Sequence, residues 1–398
     1  MRVGWLVCVT GKSCIKEAVS LAPDQELAMS LLLQSIPPEI LSEICSWACI
    51  DAGQTGCQLN LVCKAFRELC STTGVDLQYV SVRQLHKMKI FLEMLEKRSM
   101  SGRKVRSLML AERGRLERKG KPITPGKHEP YIRMPSPLNR VILDIVTVLE
   151  VVQKILESIS PNHLQSLALY FPFWRFASYV PAIIPVDLPE LVELIVSGSH
   201  DRRSFSSSRV APKLSKLHIF TIDHLPPEFG VELARAAPNL QLLNVSNIAR
   251  IGCGTAEACR DFRDVRVSQL KSSGVERGNA ASLQHTMGAP SIFPQSLRQI
   301  VLNFMPFYQS SAHLFDLRQY EHMMAISTFD KIVPIPKTVE EVDATASLVV
   351  LPVPHPRDQA QWADDEDECF QAFQASWESQ MVANSDIAWL GVSSRTML

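Results

Sequence analysis

A short apolar strand pattern recurs along the middle of this chain at nearly constant intervals. Leu164-Gln165-Ser166-Leu167-Ala168-Leu169 reads L-x-x-L-x-L, and versions of it begin at Leu191, Leu214 and Leu240, in steps of 27, 23 and 26 residues. Related runs lie at Val105 to Leu110 and Leu297 to Leu302, the latter 57 residues after Leu240, room for an insertion or a lost repeat. A period of 20 to 30 residues is the mark of strand-bearing units that bury their apolar faces by stacking on one another. Pro161, Pro189, Pro212, Pro238 and Pro294 precede these runs. Proline ends whatever comes before it and biases its neighbour toward extended chain. Helices are expected between strands at residues 140–158, with Val141, Ile145, Val148, Leu149, Val152 and Ile155 on one side, and at 228–236 and 256–272.

This spacing resembles the leucine-rich-repeat family, with one departure. The Asn or Cys expected after the last strand leucine is instead Pro172, Ser199, Ile222, Ile248 or Met305, so no asparagine ladder can bind the turn backbones. The expectation is an irregular repeat solenoid of mixed α and β structure, with strands in one curved parallel sheet. Strand side chains alternate between faces. Leu167, Leu194, Leu217, Leu243 and Ile300 should therefore be buried on adjacent strands. The intervening positions, among them Tyr170, Lys216, His218, Phe220 and Asn244 on neighbouring strands, should line the other face as a target-binding surface. The competing expectation is that a C-terminal aromatic segment covers that face. Asp364-Asp365-Glu366-Asp367-Glu368 leads into Phe370, Phe373 and Trp377 at helical spacing, and acids favour a helix start.

Nearer the N-terminus, Ile36-Pro37-Pro38-Glu39-Ile40-Leu41-Ser42-Glu43-Ile44 reads as a helix start, with Ser35 as its cap and proline in the first turn. Ile40, Leu41, Ile44 and Ala48 give it one apolar face. Asp51 to Thr55 reads as a turn, and Leu59 to Leu69 as a second amphipathic run. Together these segments resemble the F-box family. Ile36 to Ile40 is similar to its Leu-Pro-x-Glu-Ile opening, with Ile36 for Leu. Leu59 to Leu69 is similar to its closing run, with Phe66 for Trp. The resemblance spans residues 31–72. It implies a three-helix module that docks on a Skp-type adaptor and, through it, a cullin. Ile36, Pro37, Pro38, Glu39, Ile40, Ile44, Leu61, Val62 and Phe66 would then be adaptor-binding. A module of about forty residues buries little core alone, which suits a partner-dependent unit.

The rest of the sequence narrows the alternatives. Lys+Arg and Asp+Glu each total 41, which gives no global basic field for nucleic acid. Ten cysteines include no C-x-x-C pair, and Cys45, Cys49, Cys63 and Cys70 sit in apolar helical patterns, as reduced thiols do. No span suits a bilayer, because Asp144, Glu150 and Lys154 interrupt the longest apolar stretch, at 138–159. Gly11-Lys12-Ser13 lacks the earlier glycine of a phosphate loop, since Leu6 stands there. Neither a hydrolase elbow nor a zinc-protease motif occurs. The expected organisation is a poorly ordered extension (1–30), the F-box-like module (31–72), the repeat domain (73–333) with loops at 112–137 and 198–211, and a C-terminal cap or tail (334–398). No catalytic residues, metal or cofactor are expected, and the address is cytoplasmic or nuclear. Two functions follow: a substrate receptor of a cullin-based ubiquitin ligase, or a repeat scaffold that assembles into no ligase.

Overall fold

The computed structural model describes residues 36–49, 53–112, 137–171, 182–197, 207–222, 229–248, 255–264, 293–304, 317–338, 341–343, 346–351, 373–375 and 377. The expected extension at 1–30, most of the two loops, and the acidic run 364–368 with Phe370 lie outside the described residues.

The architecture is α/β. Eight strands form one all-parallel sheet in which spatial order equals chain order. They are β1 (Tyr79–Arg83), β2 (Ser107–Ala111), β3 (Ser166–Tyr170), β4 (Glu193–Ser197), β5 (Lys216–Ile222), β6 (Leu242–Ile248), β7 (Gln299–Phe304) and β8 (Leu348–Val350). Three helices precede the sheet: α1 (Pro38–Ala48), α2 (Gln54–Val62) and α3 (Lys64–Thr73). Between strands lie α4 (Leu85–Glu96), α5 (Pro137–Ser158), α6 (Phe229–Ala236) and α7 (Leu317–Ile332), and residues 255–264, between β6 and β7, are helical too, where the sequence predicts a helix over 256–272.

The register is in step across the sheet. Leu108, Leu167, Leu194, Leu217, Leu243, Ile300 and Leu348 stand side by side, strand after strand. They and the next row but one (Leu110, Leu169, Val196, Ile219, Val245, Leu302, Val350) point into the main core. The five central residues expected to be buried are so. Val148, Val151, Val152, Ile155 and Leu156 of α5 cover this face together with Met88, Phe91 and Leu95 of α4. The β6 and β7 strands are direct neighbours, so the 57-residue gap holds an insertion and not a lost repeat.

Two strands were not legible as repeats. In β1, Leu77-Gln78-Tyr79-Val80-Ser81-Val82 replaces two leucines by valine. In β8, three residues pair with β7, so the sheet continues past residue 333. Helices α4 and α7 were likewise not anticipated.

The prolines have a specific place. In four successive turns a backbone N–H reaches back three residues: His163 to Ser160, Leu191 to Leu188, Leu214 to Ala211, and Leu240 to Ala237. Pro161, Pro189, Pro212 and Pro238 each occupy the second position of such a turn, where a fixed φ helps and no N–H is needed. The third position stitches turn to turn. Lys213 pairs with Glu190 at 2.7 Å, the Asn239 amide donates to the Pro212 carbonyl at 2.7 Å, and the Ser296 hydroxyl reaches the Pro238 carbonyl at 2.8 Å. Next along, one carbonyl per strand accepts two N–H groups from the following strand. Gln78, Arg106, Gln165, Val192, Ser215 and Gln241 do so in succession. These ties join successive turns on the side of the sheet where the strands begin.

Candidate interaction surfaces

The three N-terminal helices form a small core of their own. Cys45, Cys70 and Val75 are buried there, with Leu41, Leu59, Phe66 and Leu69 packed against them. Helix α1 begins at Pro38 with Pro37 in the cap position and no side-chain cap; Ser35, the expected cap, lies outside the described residues. Gly53 adopts the left-handed region (φ 92°) and starts α2 inside the expected turn. Residues 59–69 are not one helix. Cys63 is extended (φ −156°, ψ 172°) and separates α2 from α3, a break with no proline or glycine to announce it. Burial pushes the Cys45 thiol up, and it takes Cys70 to about 12 with a further contribution from the Asp76 carboxylate, so these thiols stay protonated and act as apolar filling.

Helix α1 has two apolar faces. Leu41 and Cys45 look inward, while Ile40 and Ile44, each 50 % exposed, and Trp47, 71 % exposed, look out. On the packed neighbour α2, Leu61 (62 %) and Val62 (48 %) are also in water. Pro37, Pro38 and Glu39 are exposed and Ile36 is half-buried. Phe66 differs from the rest of its expected group: it is half-buried against the module's own core. Trp47 escaped the sequence reading, although Ile40, Ile44 and Trp47 follow i, i+4, i+7 spacing.

The module is fastened to the sheet by a buried ion pair. The Arg98 guanidinium grips both Asp76 oxygens at 2.7 and 2.6 Å, and the Asn60 amide donates to Asp76 at 2.8 Å. Arg98 also donates to the Cys70 carbonyl at 3.2 Å. Gly56 leaves space for this junction, since a Cβ there would sit 2.5 Å from the Asp76 carbonyl oxygen.

The second surface is the sheet face opposite the main core. Its apolar residues on β2 to β4, Met109, Ala111, Ala168, Tyr170 and Ile195, are buried in a separate cluster with Phe373 and Trp377, and Phe220 of β5 packs beside them. Residues 373–375 and 377 are helical. The Phe373 ring lies 5.1 Å from Tyr170 and 5.5 Å from Phe220. The Trp377 indole N–H donates to Ser107 Oγ at 3.1 Å, and Arg83 donates to the Gln374 side-chain oxygen. Tyr170 and Phe220 are two strands apart, with Ser197 between them, and Phe373 bridges the gap. Beside this cluster His218, Ser246 and Asn244 are buried in a polar chain. Ser246 donates to Asn244 Oδ1 at 3.3 Å, and since a hydroxyl has one proton, His218 Nε2–H donates to Ser246 at 2.9 Å. Burial pushes the His218 imidazole down to about 3, so it is neutral at physiological pH. Lys216 is half-buried. Of the expected target-binding residues, then, Tyr170, His218 and Asn244 are buried, with the C-terminal segment lying over the aromatic part of the face.

Among the described residues no group of His, Cys, Asp and Glu is arranged to hold a metal, and no helix is long and apolar enough to cross a membrane. Comparison with family models, curated proteins and solved structures finds no match.

Proposed function

We propose that this chain is a substrate receptor of the F-box type, in which α1–α3 dock on a Skp-type adaptor and a leucine-rich-repeat-like solenoid carries the target. The observation that carries this reading is the set of apolar side chains in water on α1 and α2. Ile40, Ile44, Leu61 and Val62 belong to the segments that resemble the F-box, and Trp47 extends the set. A small helical module that leaves a tryptophan and four aliphatic residues exposed has a partner-binding surface, because such groupings on a soluble protein mark interaction sites. The bidentate Arg98–Asp76 junction supports a role in positioning, since it ties the docking module to the sheet. The mechanism would be proximity: a target held beside another subunit's active site reacts as if tethered.

The test is co-purification of tagged full-length chain with a Skp-type adaptor and a cullin. Adaptor and cullin together support the ligase reading. Adaptor without cullin supports the scaffold reading, and neither partner sinks both. The double variant Pro37→Ala/Ile40→Ala should lose the adaptor while keeping the cooperative unfolding of the sheet.

A further inference from the structure

We propose that the outer edge of β8 is a docking site for an extended segment of a partner protein, which joins the sheet as a further strand in the cavity between β8 and residues 333–336. The inference stands independently of the receptor reading.

Among the described residues β8 pairs with β7 alone. The phase of that ladder is fixed, because the Ile300 N–H donates to the Ser347 carbonyl at 2.8 Å and the Leu351 N–H to the Leu302 carbonyl at 2.9 Å. In a parallel ladder alternate residues of a strand turn their N–H and C=O groups to opposite neighbours. Val349 therefore faces β7, while the N–H and C=O groups of Leu348 and Val350 point outward, where no described residue answers them. A cavity of about 330 Å³ borders Leu348, Val349 and Val350 alike. Their side chains alternate between faces, so a cavity that touches all three runs along the backbone edge.

The opposite wall of the cavity cannot close it. That wall is Val333-Pro334-Ile335-Pro336, directly after α7. Pro334 and Pro336 have no N–H. The Val333 N–H donates to the Phe329 carbonyl at 2.7 Å, and the Ile335 N–H to Asp330 Oδ1 at 2.7 Å. The wall thus has no donor left for the outward carbonyls of β8. Nor does β8 carry a charge, proline or bulge of the kind that protects an edge from a new strand. Whatever fills the cavity must bring donors and acceptors at two-residue spacing, which is the backbone of an extended peptide. Val333, Ile335 and Val342 offer its side chains an apolar seat. The exposed carboxylates of Glu341 and Asp343 border the same cavity, and Arg263, which borders it too, is paired with Asp264 at 3.0 Å. The segment that fits is therefore apolar at alternate positions and basic at an end.

The experiment uses the full chain and a labelled peptide, Lys-Val-Thr-Val-Thr-Val-Lys, read by fluorescence anisotropy. The peptide should bind saturably, and the amides of Leu348 and Val350 should gain protection from hydrogen exchange while that of Val349 stays as it was. Two further peptides carry N-methyl groups on alternate residues, one on each edge of the strand. Methylation of the edge that meets β8 should weaken binding about tenfold or more, since each lost N–H leaves a carbonyl unpaired, and methylation of the other edge should leave it nearly unchanged. Val350→Pro removes an outward N–H at a strand edge, where proline is tolerated, and should weaken the unmodified peptide similarly. Absence of saturable binding overturns the proposal, as does equal loss or equal retention with the two methylated peptides, or binding that leaves the Leu348 and Val350 amides unprotected. A concentration-dependent dimer of the chain alone, with these two amides protected in it, overturns it in favour of a second copy at this edge. The methylated peptides act on the natural chain, so the test holds even if Val350→Pro fails to fold.

Discussion

Arg98 and Asp76 form a two-pronged ion pair almost out of reach of water, with side chains 10 % and 3 % exposed, at the junction between the helical module and the sheet. Removing one partner strands the other charge in a buried site, which costs about 3 to 5 kcal/mol. Arg98→Ala should lower the denaturant midpoint accordingly, and hydrogen exchange should rise first in α2 and α3. Arg98→Lys should recover only part of the loss, since an ammonium cannot make the planar double contact. A midpoint within experimental error of the natural protein in Arg98→Ala would refute the junction.

Leu217 stands at the centre of the leucine row and is buried. Leu217→Ala should cost about 2 to 5 kcal/mol by transfer and cavity effects. Its neighbour Lys216 points to the other face and is half-buried, so Lys216→Ala should stay within about 0.5 kcal/mol, as a surface change does. Equal losses for the two would contradict the alternation of faces. Urea titration distinguishes them.

His218 makes stability depend on pH. Its imidazole falls from an ordinary 6.5 to about 3 in the folded chain. Between those values the unfolded state binds the extra proton, so stability is complete above pH 6.5 and declines as pH falls toward 3. At about 1.4 kcal/mol per pH unit, the decline is on the order of 5 kcal/mol. His218→Asn should flatten this part of the profile relative to the natural sequence. Parallel profiles for the two proteins would show that His218 does not set the slope.

The exposed apolar residues should matter to binding and not to folding. Trp47→Ala should weaken adaptor association by about 2 kcal/mol or more, the usual scale of an aromatic anchor, while the melting temperature stays nearly unchanged. Phe66→Ala should do the reverse in part, because Phe66 packs on Cys45, Cys70 and Val75. Calorimetry of folding and of adaptor binding on both variants decides; a Trp47→Ala chain that binds as before would remove Trp47 from the surface.

The sheet was legible because one physical rule governs it. A strand packed on one face needs large aliphatics at every second position, and leucine at steps of 23 to 27 residues announces that directly. Val80 and Val82 satisfy the same rule with smaller side chains, so β1 was missed. In sequence the prolines read as breaks, whereas their work lies in the turns, which depend on backbone bonds that no single residue declares. In the module, Ile40 and Leu41 sit side by side in sequence on two different faces. Periodicity marks both as apolar and cannot say which one the chain itself buries. The Asp76–Arg98 pair spans 22 residues and left no pattern at all.

Because strands follow one another in space as they do along the chain, each strand leaving the ribosome finds its neighbour already laid down. Assembly can therefore proceed by addition at a growing edge while synthesis continues. The bond from Trp377 back to Ser107, across 270 residues, is of another kind. It must wait until Trp377 itself has been made, long after the leucine rows are in place, so a nascent chain stalled before Trp377 would carry a finished core and a bare aromatic face.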